Sequence, residues 1–496
     1  MRRILDLIAQ HAAADPQRTA LLDESIRLDY GELQREVART AAWLDGRRIA
    51  VLMDNGCAWA VVDLAIAARG AVAVPVPPFF SAAQIHHLLA DAVPDLIVSD
   101  RVDAITALTG LAPIGQLEVG GRLLHLFAPR VSLAPVLPPH TCKVTYTSGT
   151  TGQPKGVCLS GSAIAATTAA LAEAVQADPA DRSLSLLPLS TLLENIGGVY
   201  VPLRSGSSAA LPSLASCGFS GSSAVQPAPL LAAFHRYTPS ATILVPQLLK
   251  LLVECLAADA SLPGTLRFVA VGGAPCAKPL IQRAWGLGLP VHEGYGLSEA
   301  ASVVSLNRPH RERPGSVGTP LPGLRVSLAA DGEIVVSGRL FEGYLGSDMP
   351  VPVEWPTGDL GRFDEDGYLY ITGRKKTAYA TAFGRNVAPE WVESELTATS
   401  ALLQAAVFGE ARARNVAVLV PHPAAGAAQI EAAVAAANAR LPDYAQVGAW
   451  LLADAPFTSA NGLARPSGAL DRQAIALRYA NALEELHASE NAHVDS

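Results

Sequence analysis

VTYTSGTTGQPKGVCLS, residues 144–160, is the stretch on which the reading of the whole chain turns. Val144, Thr145, Tyr146 and Thr147 are apolar or β-branched and predict a short strand that stops at Ser148-Gly-Thr-Thr-Gly152. Gly149 and Gly152 permit positive φ and close backbone approach, while the hydroxyls of Thr147, Ser148, Thr150 and Thr151 add donors to the loop's own N–H groups. Such a concave set of donors suits phosphate oxygens. Lys155 adds a mobile point charge, Gly156-Val-Cys-Leu159 resumes an apolar run, and Ser160 or Ser162 can cap a helix over 163–175. The plain alternative is a Ser/Thr/Gly-rich surface turn. Against it, the loop lies between two apolar runs, and Pro154 stiffens the approach to Lys155. A nucleotide P-loop wants Ser or Thr after its lysine and then a helix; Gly156 and a strand follow here, so that motif is rejected.

The chain has 496 residues, half of them hydrophobic, enough for several cores. A net charge of −8 gives no reason to expect nucleic acid or an anionic membrane surface. The six cysteines form no C-x-x-C pair and read as reduced thiols of a cytoplasmic protein. Asp6, Gln10 and His11 interrupt the apolar run that a secretion signal would need, and no stretch is long and apolar enough to predict an integral membrane segment.

Outward from the loop the pattern is α/β. Ala20–Asp23 and Ile26–Leu28 predict a hairpin, and Asp29 with Glu32 a capping box. Arg48–Met53, Ala58–Arg69 and Ala71–Val76 form a βαβ unit, with a further strand at Leu96–Asp100. Strands recur at Ser183–Pro188, Thr242–Val245 and Arg267–Val271, whereas Ser205–Ser223 reads as a Ser/Gly/Ala-rich loop. From Pro314 to Tyr370 short β runs suggest a small barrel, in which Asp364-Glu-Asp-Gly367 is a hairpin turn rather than a calcium loop. After Lys376 a helix near Pro389, strands Ala405–Phe408 and Val416–Val420, an Ala-rich helix to Leu441 and a last helix from about Leu470 form a self-contained unit.

The stretch 144–160 closely resembles the phosphate loop of the adenylate-forming superfamily: acyl-CoA synthetases, peptide-synthetase adenylation domains and luciferases. Four further stretches agree in order, so the resemblance covers nearly the whole chain. His292-Glu-Gly-Tyr-Gly-Leu-Ser-Glu299 resembles the segment whose tyrosine, here Tyr295, stacks on adenine and whose last glutamate, here Glu299, holds Mg²⁺. Ser298 stands where the family usually has Thr; Glu293, Gly294 and Gly296 complete the bend. Val271-Gly-Gly-Ala-Pro275 resembles the adenine-pocket wall, with Gly273, Ala274 and Pro275 against the base. Thr357-Gly-Asp359 resembles the segment whose aspartate accepts both ribose hydroxyls. Gly373-Arg-Lys-Lys376 resembles the hinge, with Arg374 reaching ribose or phosphate and Lys376 at the pivot; Gly384 falls where a pantetheine arm passes.

The resemblance implies a large multi-subdomain N-terminal adenylating domain of parallel sheets plus a small β-barrel (1–372), a hinge (373–376) and a small mobile α+β C-terminal domain (377–496). It implies that ATP with Mg²⁺ activates a carboxylic acid to an acyl-adenylate, which passes to the thiol of CoA or of an acyl carrier protein's phosphopantetheine. Leu186–Val201 resembles the helix lining the acyl tunnel, and Gly197, Gly198, Gly272 and Gly273 leave room, favouring a fatty or aryl acid. No acid is placed to pair with a substrate amino group in the manner of amino-acid-activating domains; Glu194 is read as structural. One departure is sharp. Family members carry a lysine near the C-terminus that touches the carboxylate and α-phosphate, yet no lysine follows Lys376 here. The equivalent position is Leu463 or Ala469, with Arg465 and Arg472 as candidate substitutes. The alternative reading is therefore an adenylation-impaired member, an acyl transferase or a nucleotide-binding scaffold; nothing in the residues favours a luciferase-like oxygenase.

Overall fold

The computed structural model describes residues 1–129, 134–147, 154–220, 224–347, 353–383, 385–465 and 468–488. Strand Arg48–Leu52 pairs in parallel with Val72–Pro75 on one side and Leu96–Ser99 on the other, as a βαβ unit requires. Val72–Pro75 is buried at every position, the mark of a strand covered on both faces. This pair seeds an eight-stranded sheet in the order Gly343–Tyr344, Lys155–Ser160, Thr141–Thr147, Val72–Pro75, Arg48–Leu52, Leu96–Ser99, Arg122–Phe127, Gly115–Val119.

A nine-stranded sheet runs Thr319–Pro320, Ser302–Leu306, Val291–Leu297, Phe268–Val271, Ala241–Leu244, Arg182–Leu184, Ser208–Ala210, Thr19–Leu22, Arg27–Asp29. Its interior is parallel, and the expected hairpin near the N-terminus closes one edge antiparallel. Ser208–Ala210 corrects the loop expected over 205–223: it lies between Arg182–Leu184 and Thr19–Leu22, parallel to both. Its three residues are buried, and their small side chains let helices cover it closely while removing the apolar signal by which a strand is recognised.

The two sheets share one core, reaching from Ile8 and Trp59 to Val157, Leu171 and Val304. Helix Cys57–Arg69 lies inside it, buried at every position from Cys57 to Ile66. Its Asp63 is buried with Lys143 at 2.8 Å. Lys143 also donates to Asn195 Oδ1 and to the Tyr200 hydroxyl at 2.9 Å, and Tyr200 donates to Asp63. These partners span Asn195–Tyr200, a π-helical turn between Leu192–Glu194 and Val201–Ser205. The sequence over 186–201 predicts only a helix; the wider turn is a tertiary feature, held where buried charges need it. The capping box at Asp29 and Glu32 is present, with bonds of 2.7 and 2.9 Å.

The β runs beyond 314 form an open antiparallel sheet, a half barrel: Leu324–Leu328, Glu333–Gly338, Glu354–Phe363, Leu369–Arg374. Asp364 and Asp366 close a turn and bind Arg313 at 2.6 and 2.7 Å, which accounts for their carboxylates without calcium. A smaller unit follows, a three-stranded sheet of Leu402–Phe408, Asn415–Pro421 and Val447–Leu452 with its own apolar clusters. It touches the large domain at Lys250, whose Nζ donates to the carbonyls of Thr397 at 2.9 Å and Leu402 at 2.6 Å. Among the described residues no helix is long and apolar enough to cross a membrane, and the six cysteines are free thiols.

Candidate active site

Parallel strands Ala241–Leu244, Phe268–Val271 and Val291–Leu297 end on one edge of the nine-stranded sheet, where open α/β sheets bind ligands. Four groups of predicted residues meet there or nearby.

Thr147 ends one strand, Lys155 opens the next, and the two are registered partners, so a hairpin rung closes the loop between them. Ser148, Gly149, Thr150, Thr151 and Gly152 lie outside the described residues. The rim is anchored by the His87 ring, 3.0 Å from the Pro154 carbonyl. Lys155 is exposed, and its Nζ stands 5.6 Å from the centre of the Tyr344 ring. Tyr344 in turn donates its hydroxyl hydrogen to Glu299 Oε1 at 2.8 Å. Glu299 sits in the 3₁₀ turn Ser298–Ala300, where its carbonyl accepts from Phe341 N at 2.8 Å. Burial, then the Glu299 charge, raises the Tyr344 phenol, so it stays a donor at neutral pH. Sequence reasoning missed Tyr344. The residue reaches the site only because Gly343–Tyr344 pairs with the strand that Lys155 opens.

Tyr295 and Arg374 converge on Asp359. The tyrosine hydroxyl donates to Oδ2 at 2.7 Å and Arg374 Nε lies 2.9 Å from Oδ1, so the aspartate predicted to hold a ribose diol is engaged at both oxygens. Asp359 is only 5% exposed, whereas the Arg374 side chain is 63% exposed.

The third group follows strand Phe268–Val271. Gly273 takes φ +82°, and Ala274 and Pro275 are exposed at the turn. Gly294, Tyr295 and Ser298 face the same cleft. Gly296 is obligatory: a Cβ there would stand 1.9 Å from the Ser302 carbonyl of the neighbouring strand. Glu293 is buried, its Oε2 has no partner among the described residues, and burial pushes its carboxyl up to about 8. An orphaned buried oxygen beside this turn fits a ligand that brings its own donor, such as an adenine amino group.

A cavity of about 290 Å³ opens from this edge. Gly272, Gly273, Tyr295 and Ser298 line one end, Gly197 and Ile243 its flank, and among the described residues Asp181 and Arg267 are its two charged lining residues.

At the hinge stretch, Lys375 N donates to the Gly358 carbonyl at 2.8 Å and its Nζ binds Asp331 and Glu333 at 2.6 and 2.8 Å. Lys376 is exposed in the turn that follows, and Gly384 lies outside the described residues, between Tyr379–Ala380 and Asn386–Val387. Of the positions considered for the absent lysine, Leu463 is buried in the C-terminal core, 3% exposed. Ala469 is exposed on a hairpin, where its carbonyl accepts from Arg465 N at 2.7 Å. Arg472 is occupied: its guanidinium grips Glu393 at 2.5 and 2.6 Å and approaches Glu390 at 3.5 Å. Arg472 is thus paired in this structure, whereas Arg465 lies on the hairpin with Ala469.

Among the described residues no cluster of three or more His, Cys, Asp or Glu forms a metal site. Glu299 fits the other way of holding Mg²⁺, one carboxylate with substrate phosphates and water supplying the rest.

Residues 8–345 match the AMP-binding enzyme family and residues 379–491 its C-terminal domain. A long-chain-fatty-acid–CoA ligase of Mycobacterium bovis is 27% identical, across 90% of this chain and 88% of that protein. A feruloyl-CoA synthase of Amycolatopsis is 30% identical, across 89% and 90%. Among solved structures, an anthranilate CoA ligase in complex with anthranoyl-AMP superposes with a TM-score of 0.81 at 19% identity, covering 97% of this chain and 98% of that one.

Proposed function

The chain belongs to the AMP-binding enzyme family, and from that premise we propose that it joins a fatty or aryl carboxylic acid to AMP and passes the acyl group to the thiol of CoA. The observation that carries the acid class is the cavity beside the nucleotide cleft: among the described residues its two charged lining residues, Asp181 and Arg267, bind each other at 2.7 Å and leave no free charge there for a substrate amino group.

We assign the residue roles from the family resemblance, and the contacts around Asp359, Glu293 and Glu299 support them. The loop from Thr147 to Gly152 and Lys155 hold the triphosphate. Asp359 releases Tyr295 and Arg374 and accepts the ribose hydroxyls, which frees the Tyr295 ring to lie along adenine and Arg374 to reach ribose or phosphate. Glu293 accepts from the base, while Gly273, Ala274 and Pro275 form the wall behind it. Ser298 lies between cavity and cleft, where the carboxylate must meet the α-phosphorus. Glu299 would hold Mg²⁺, which supplies neutralisation of phosphate charge. Attack by the carboxylate on the α-phosphorus expels pyrophosphate, and the thiol then displaces AMP; both steps depend on positioning and on charge more than on a covalent intermediate with the protein. We assign Gly373–Lys376 as the pivot between residues 1–372 and 377–496, with Gly384 beside the path of a pantetheine arm. An acyl carrier protein's phosphopantetheine is the alternative acceptor.

Acid-dependent release of AMP, assayed with CoA and then with a pantetheinylated carrier, tests the reading; no release with any fatty or aryl acid would refute it. One observation favours a second reading. With no lysine after Lys376 and Arg472 bound to Glu393, the adenylation step lacks a donor that is worth roughly 10²–10³ in rate. An acyl transferase would thiolate supplied acyl-adenylate at a normal rate yet show no pyrophosphate exchange. A scaffold would bind ATP and do neither.

A further inference from the structure

The cavity has a charged floor. Strands Ala241–Leu244 and Phe268–Val271 run parallel along it, so it begins at Arg267 and reaches the nucleotide cleft at Gly272. Five residues of extended chain separate those ends, about 16 Å at roughly 3.3 Å per residue. At the far end Arg267 forks onto Asp181, Nε to Oδ1 at 2.7 Å and Nη2 to Oδ2. The same guanidinium donates to the carbonyls of Val175 at 2.9 Å and Gln176 at 3.0 Å, at the end of helix Gly161–Ala174. Asp181 further accepts from the Ser240 hydroxyl and Asp178 N, each at 2.7 Å. Asp181 is 11% exposed but Arg267 35%, so beyond the pair lies solvent. The closure ties a helix end to two strands, and an apolar tail cannot displace it without breaking the fork together with its bonds to Val175, Gln176, Ser240 and Asp178, none of which a hydrocarbon replaces.

We propose that the Arg267–Asp181 pair is the end stop that sets the longest acyl tail the enzyme accepts. This rests on the reading that the cavity holds the acid. A straight-chain acid has its carboxylate at Ser298 and Gly273 and its methyl end against the ion pair; a longer acid must open the fork to reach water.

The test is the kcat/KM profile across a series of straight-chain acids, for the intact enzyme and the charge-free variant Asp181→Ala/Arg267→Ala. The expected result is at least a tenfold gain for acids several carbons beyond the wild-type optimum, with KM for ATP unchanged. An unchanged profile in a folded variant overturns the proposal. Should that variant fail to fold, Ala177→Phe serves instead, since Ala177 also lines the cavity. It should cost the longest accepted acids at least tenfold and spare short ones; an equal effect at every length overturns the end stop. Gly197→Val separates this from the parent reading. A Cβ at Gly197 would meet Ile243 Cδ1 at 2.5 Å and constrict the cavity. If it leaves every acid unaffected, the cavity is not the acyl site. If it depresses all acids while the end-stop variants leave the length profile unmoved, only the end stop fails.

Discussion

Tyr344 donates its hydroxyl hydrogen to Oε1 of Glu299 at 2.8 Å, and the face of the same ring lies 5.6 Å from the ammonium of Lys155. One aromatic thereby links the phosphate-side cation to the carboxylate that would hold the metal, and it fixes the carboxylate's direction before any ligand arrives. Tyr344→Phe keeps the ring and removes the bond. It should raise the Mg²⁺ concentration for half-maximal pyrophosphate exchange about tenfold, as loss of a ligand's supporting hydrogen bond does. An unchanged Mg²⁺ dependence would show that Glu299 is aimed by other contacts.

Lys155 is exposed and its Nζ stands over the Tyr344 face, so truncating it costs the fold little. Lys155→Ala should lower acid activation by roughly 10²–10³ while the melting temperature stays within experimental error. Full turnover in this variant would sink the assignment of the loop as the triphosphate grip.

The carboxy-terminal hairpin gives a gain-of-function test. Ala469 is exposed opposite Arg465, so a lysine there meets no packing penalty. Ala469→Lys should raise pyrophosphate exchange at least tenfold if adenylation is the impaired step, whereas Arg465→Ala should lower it. Arg472→Ala should act through stability, because it strands Glu393, whose carboxyl burial already pushes up to about 7.

Lys143 and Asp63 are 3% and 2% exposed at the side chain. Lys143→Met leaves Asp63 buried without a cation and should cost about 3–5 kcal/mol in urea denaturation. The pair Lys143→Met/Asp63→Leu should recover much of that, because no charge is left unpaired. Equal losses in both variants would place the cost in packing instead.

Glu194 is fully buried and neither carboxyl oxygen makes a well-formed hydrogen bond among the described residues; burial pushes it up to about 8 against the pull of the Ser185 hydroxyl and Leu187 amide. The folded value exceeds the ordinary 4.5, so between those values the folded state holds a proton that the unfolded chain has lost. Stability from this group is intact below about 4.5 and falls as pH rises toward about 8, by up to roughly 1.4 kcal/mol per pH unit. Glu194→Gln should flatten that slope. Parallel denaturation curves for the two proteins across the window would show that Glu194 is ionised in the fold.

Some of this protein was written locally. The run of glycines, hydroxyls and Lys155 between two apolar stretches, the Gly-Tyr-Gly bend before Glu299 and the order of the five motifs identify the family and its α/β architecture, because each depends on neighbours within a few residues. The strand Ser208–Ala210 escaped because a Ser-Ala-Ala run of small residues carries no strong apolar alternation, and the π-turn at Asn195–Tyr200 because a helix signal does not report its pitch. Arg472 reads as a candidate substitute cation in the sequence and is a half-buried partner of the buried Glu393 in the fold.

What tertiary structure alone decided is which distant side chains meet. Tyr344 reaches Glu299 through a two-residue strand pairing, Arg374 reaches Asp359 across adjacent strands, and Arg267 closes on Asp181 across the parallel sheet. Their spacing along the chain carries no trace of these contacts, since sheet order and register, rather than local preference, bring such residues together.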